Sequence, residues 1–200
     1  MSTESARGSA WSTAAVIVGI VAAGTVVAGL LNEPQSDAIS IPGCDEVIQP
    51  EEMERINGGI VGGGDASWLS EPEIQALSDA LVQSVPEGVV VEQDPSWPPF
   101  AFESTTGGEE VTAVGKVSVD GYDGQLVVRV LHSDDGPGPC FAGTVDERRT
   151  DDDGIVLDIS DRRVIAYVPD GSKIDVSSDV LTRDQMITVA TDPGLRVGDS

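Results

Sequence analysis

The chain has 200 residues, 35 of them acidic and 11 basic, for a formal net charge of −24, and it holds one histidine and two cysteines. That balance excludes nucleic acid and anionic lipid headgroups as natural partners, because each needs a positive patch that displaces counterions. One histidine and two cysteines are also too few for the usual zinc ligand sets, catalytic or structural.

The first predicted element is a membrane span. From Trp11 to Leu31 the sequence WSTAAVIVGIVAAGTVVAGLL carries no charge, and about 21 residues at ~1.5 Å rise match a hydrocarbon core of ~30 Å. A buried core helix would show a polar stripe, whereas only Ser12, Thr13 and Thr25 are polar. The apolar run is longer than the core of a secretory signal, which favours a retained signal anchor; Ser36-Asp37-Ala38 is the candidate site if the segment is cleaved. Arg7 before the span, with Glu33 and Asp37 after it, puts residues 1–10 in the cytoplasm as a short tail and the C-terminal domain outside. Within the span, Ala15, Gly19 and Ala23 form a small-residue stripe that could let two such helices approach.

Residues 32–43 (NEPQSDAISIPG) read as a juxtamembrane linker, with an extracytoplasmic domain over 44–200. All but one of the acidic and all but one of the basic residues follow the span, so the chain after it, linker and domain together, holds the entire net charge. Pro50 followed by EEMERI predicts a short helix, and the glycines of 58–67 lack the Gly-Lys-Ser/Thr ending of a phosphate loop and read as a connector. In LSEPEIQALSDALVQSV, Ser70 and Glu73 form a capping box and Leu69 with Ile74 a hydrophobic staple. Ile74, Leu77, Leu81 and Val85, with Ala80, then hold one apolar face until Pro86 and Gly88 end the helix.

From Gly88 the period changes to two. Strands are predicted at Val89 to Glu92, Phe100 to Glu103 and Val111 to Val119, the last returning through the turn residues 120–124 into Gln125 to His132. A second hairpin spans Gly154 to Ile159 and Arg163 to Val168, and Pro169-Asp170-Gly171 turns into Lys173 to Val176. Leu181, Thr182, Gln185 and Met186 repeat the staple and capping box of the earlier helix and start a final one over 182–191, closed by Asp192-Pro193-Gly194. Because helical and strand periods are segregated, the expected class is α+β, an antiparallel sheet with two main packing helices behind one transmembrane helix.

The texture of the chain adds a coarse resemblance. Nine arginines stand against two lysines, Ala, Gly, Val and Asp are abundant, and a short polar tail precedes an Ala/Gly/Val-rich helix and an acidic outer domain. In this style the chain resembles single-span exported proteins of high-GC Gram-positive bacteria, the actinobacteria, although halophile chains share the acidic, lysine-poor bias. The resemblance rests on no motif; it implies a cell-envelope location and no particular activity.

Four candidates for chemistry remain. A bridge between Cys44 and Cys140 fits an oxidising compartment and would close a loop of nearly a hundred residues, worth about 4.7 kcal/mol in the chain-entropy model; in a cytoplasmic domain the two would be buried thiols. His132 has no Gly-x-Ser-x-Gly elbow to serve. Asp134-Asp135 and Asp151-Asp152-Asp153-Gly154 miss the register of an EF-hand loop and read as solvated turns. Trp97-Pro98-Pro99-Phe100 presents two rings on a stiff segment that could stack on a sugar or a peptide, with core packing as the plainer alternative. No catalytic residue, metal ligand or cofactor site is assigned. The expected function is non-catalytic binding or assembly with another envelope protein or a cell-wall component. A carboxylate-dependent cell-wall hydrolase and a sensor signalling through a membrane partner are the alternatives.

Overall fold

The strongest alternation in the sequence makes the longest hairpin of the structure. β4 (Glu110–Val119) and β5 (Tyr122–His132) pair antiparallel from Glu110 opposite Leu131 to Val119 opposite Tyr122. The turn is shorter than predicted: only Asp120 and Gly121 form it, with φ of 51° and 84°, the two positive values a two-residue type I′ hairpin requires. Tyr122, Asp123 and Gly124 therefore join the strand.

The computed structural model describes residues 38–50, 68–92, 99–104, 110–133 and 135–198. The tail 1–10, the predicted span Trp11 to Leu31, the helix after Pro50, the glycine-rich connector and Trp97 lie outside the described residues. Among the described residues no helix is long and apolar enough to cross a membrane.

Around the central hairpin an antiparallel sheet of eight strands assembles in the order β2 (Val89–Val91), β4, β5, β10 (Ser172–Ser178), β9 (Arg163–Tyr167), β8 (Val156–Ile159), β7 (Glu147–Thr150), with β3 (Glu103–Ser104) also on β4. β2 (Val89–Val91) and β3 (Glu103–Ser104) share the outer side of β4, and β8 (Val156–Ile159) with β9 (Arg163–Tyr167) is the second predicted hairpin. β10 (Ser172–Ser178) runs between β9 and β5 and joins the two hairpins into one sheet. The edge strand β7 (Glu147–Thr150) has no apolar alternation in its sequence ERRT, so its sequence carries no strand signal.

Both predicted packing helices form, as α1 (Glu71–Ser84) and α2 (Arg183–Ala190). At α1 the Glu73 carboxylate accepts from both the Ser70 N–H and its Oγ at 2.6 Å; at α2 the Thr182 N–H donates to Gln185 Oε1 at 2.9 Å. Leu77 and Leu81 of α1 and Met186, Val189 and Ala190 of α2 join Val128, Val130, Val164, Ala166, Leu157, Ile174 and Val176 of the sheet in one core. Leu69, Ile74, Ala80 and Val85 pack at its margin, as the staple and the helical face predict. A buried polar contact pins the helix further, because Phe102 N–H donates to Ser78 Oγ at 3.1 Å.

The segment entering β3 differs from its prediction as a strand starting at Phe100. Phe100 has φ of 57°, in the left-handed region, and its ring is fully buried against Gly115. A Cβ on Gly115 would stand 2.2 Å from the ring, so this strand glycine exists to admit it.

Apart from the large sheet, β1 (Val47–Ile48) and β6 (Cys140–Phe141) form a small parallel pair with their own cluster of Ile41, Cys140 and Val145. The folded unit begins at Ile39, so residues 39–43, read as linker, belong to this lobe: Ile41 is buried and Gln49 Nε2 donates to Ile39 O.

Candidate functional site

Alternation gives each strand a second face, and on this sheet the second face carries charge. The core residues Val130, Ile174, Ala166 and Leu157 stand opposite one another in register, so their neighbours Arg129, Asp175, Ile165 and Asp158 form a row on the side away from the helices. Arg148 on β7 ends that row at one side, and at the other it continues through Thr112 on β4 to Glu103 on β3. Lys173, Tyr167 and Leu131 make the row on one side of it, and Arg163, Ser177, Val127 and Val114 the row on the other.

Two carboxylates in this face are buried, Asp158 and Asp175. A buried charge needs a partner, and each has a bidentate one. Arg148 Nε and Nη2 donate to the two oxygens of Asp158 at 2.6 and 2.8 Å; Arg163 Nε and Nη2 donate to those of Asp175 at 2.8 and 2.6 Å. Arg129 Nη1 adds a third donor to Asp175 at 3.3 Å. The hydrogen bond to its aspartate raises the pKa of Arg148 and of Arg163, outweighing the opposite pull of burial. Tyr167 lies beside the Asp158 carboxylate; burial, and then that negative charge, push its hydroxyl above the ordinary tyrosine value. The Lys173 ammonium sits 5.2 Å from the centre of its ring.

Arg148 also fastens the small lobe to the sheet. Its Nη1 donates to Gly138 O at 2.7 Å and its backbone N–H to Pro42 O at 2.9 Å. Gly43, with φ of 77°, lies so close that a Cβ would meet the Arg148 carbonyl oxygen, so no other residue fits there.

The predicted site residues are distributed as follows. Cys44 and Cys140 form a disulfide with Cα atoms 6.1 Å apart across 96 residues of sequence. It closes the lobe beside β1 and β6. Of the predicted ring patch, Phe100 has no exposed surface and is a core residue, and Trp97 lies outside the described residues. His132, at the end of β5, packs its ring 6.4 Å from that of Trp68 and lines a cleft with Tyr167, Asp170 and Lys173. Asp151 closes its own turn by accepting from the N–H groups of Asp153 and Ile155, and Asp170 and Asp192 do the same for Ser172 and Gly194. Much of the acidity in the turns is thus backbone chemistry. Among the described residues no group of three or more His, Cys, Asp or Glu is placed to hold a metal ion.

Two carboxylates at suitable separation are what hydrolysis would need. Asp158 and Asp175 lie on strands separated by β9, roughly 9.6 Å apart at ~4.8 Å per strand, but guanidinium donors already occupy their oxygens. What the arrangement offers chemically is cations held in place by buried anions. The signal in the sequence was a single charge inside an otherwise apolar strand, as in Val156-Leu157-Asp158-Ile159 or Val127-Val128-Arg129-Val130; its meaning depended on the strand order. No protein family, curated protein or solved structure matches the chain.

Proposed function

We propose that the chain is a membrane-anchored domain folded outside the cytoplasm, with a non-catalytic role in binding or assembling with another component of the cell envelope. Trp11 to Leu31 is the anchor in this reading, and residues 1–10 the inside tail.

The observation that carries it is the Cys44–Cys140 disulfide. Such bonds persist in oxidising compartments and are rare in the cytosol, and this one secures a small lobe whose own apolar cluster contains, among the described residues, three buried ones, Ile41, Cys140 and Val145. The engagement of both buried aspartates by arginines supports binding over carboxylate catalysis.

Mild detergent extraction of native membranes, followed by affinity capture and crosslinking of the full chain, tests the reading. The expected result is a defined envelope protein or wall fragment recovered in fixed proportion. Recovery of the chain alone, with crosslinks only to itself, would overturn it.

A further inference from the structure

We propose that Arg129 and Arg163, on the open face of the sheet, form a docking site for a carboxylate of an acidic, aliphatic peptide segment of a partner protein. This deepens the reading of the chain as a binding domain and rests on it.

Two guanidinium groups touch the same oxygen of Asp175, Arg163 through Nη2 at 2.6 Å and Arg129 through Nη1 at 3.3 Å. Like charges do not gather unless something holds them, and here the holder is a carboxylate only 5% exposed. The arginine side chains themselves remain 38% and 48% exposed. Each guanidinium has five N–H donors in a planar fork; Arg129 spends one on Asp175 and Arg163 spends two. The triad of two arginines and one aspartate therefore carries a formal charge of +1 and a set of outward donors, with Glu103 and Glu110 on the same face, in a molecule whose formal net charge is −24. One incoming carboxylate completes its neutrality, and bidentate geometry suits a carboxylate.

The apolar neighbours select the kind of carrier. Val127 lies in the same register row as Arg163, and Val114, 51% exposed, is cross-strand from Val127. A peptide carrying aliphatic side chains beside its acid would cover these valines, whereas inorganic phosphate or a polyanion without apolar groups would leave them in water.

The test uses the full chain in nanodiscs and a capped probe peptide, Val-Glu-Val-Val-Glu-Val, beside its Gln-for-Glu counterpart and inorganic phosphate. Val114→Glu puts a like charge next to the site at an exposed position, and Arg129→Gln leaves the bidentate Arg163–Asp175 pair intact, so both variants should keep the wild-type melting transition. The Glu peptide is expected to bind saturably, and the Gln peptide, Val114→Glu and Arg129→Gln each to weaken binding at least ~10-fold. Equal binding of the two peptides, no binding, or wild-type binding by both variants would overturn the proposal. Phosphate binding as tightly as the peptide and indifferent to Val114→Glu would overturn it in favour of a phosphate-bearing polymer. If a partner is still captured from membranes and Val114→Glu does not release it, this docking face is wrong while the binding reading stands.

Discussion

On one face of the sheet Val128, Val130, Ile174 and Val176 lie under α1 and α2 with no exposed surface; on the other, the residues between them are Arg129 and Asp175. Both faces come from the same strands, and both hold buried side chains. The helix-covered face gains its stability from apolar area removed from water, at about 25 cal/mol per Å². The open face buries Asp158 and Asp175 instead, and ion pairs of this kind stabilise a fold no better than apolar residues of similar volume. The difference teaches that the charged rows are expensive to break yet unnecessary for stability as such, which points to positioning as their use.

The largest expected effect comes from breaking one pair. Arg148→Ala leaves Asp158 buried and unpaired and is expected to cost about 3–5 kcal/mol in urea unfolding. Replacing both partners, as in Arg148→Met with Asp158→Leu, should recover most of that loss; a double variant as unstable as the single one would mean that the pair itself stabilises the fold. On the covered face, Leu81→Ala is expected to cost about 3 kcal/mol, with no partner exchange to rescue it.

Smaller effects test the helix ends that close the covered face. Ser70→Ala and Thr182→Ala should each cost about 1 kcal/mol, read as shifts in the urea midpoint at constant slope. Hydrogen bonds from Ser70 lower the pKa of Glu73 in the folded state. Its contribution is therefore present above the unfolded value and is lost as pH falls through the lowered folded one. Thermal melts of wild type and Glu73→Gln should converge in acid and separate near neutrality; a constant difference would contradict this account of the cap. The smallest effect should be a gain on the open face. Thr112 Oγ1 is buried with no hydrogen-bond partner, so the isosteric Thr112→Val should raise stability by about 1 kcal/mol.

The covered face was also the legible one. Capping boxes and staples announce α1 and α2 locally, and the alternation of β4, β5, β8 and β9 marks their buried residues, because these signals need only neighbours in sequence. What was lost depends on distant partners. Phe100 looked like a presented ring because its seat, Gly115, is on another strand. The turn at 120–124 looked long because it holds two Asp/Gly signals, Asp120-Gly121 and Asp123-Gly124, and pairing uses only the first. β7 reads as two charged arginines until Asp158 lies opposite Arg148. The open-face cluster was hidden for the same reason: Arg129, Arg163 and Asp175 meet only once β10 inserts between β5 and β9.

The central claim, a domain anchored by its N-terminal span and folded outside the cytoplasm, is tested most directly by non-reducing peptide mapping of the full chain alkylated in native membranes before extraction. The account predicts a single crosslinked species joining the peptides of Cys44 and Cys140, converted to two alkylated peptides only after reduction. Recovery of both cysteines already alkylated, with no linked peptide, would contradict it.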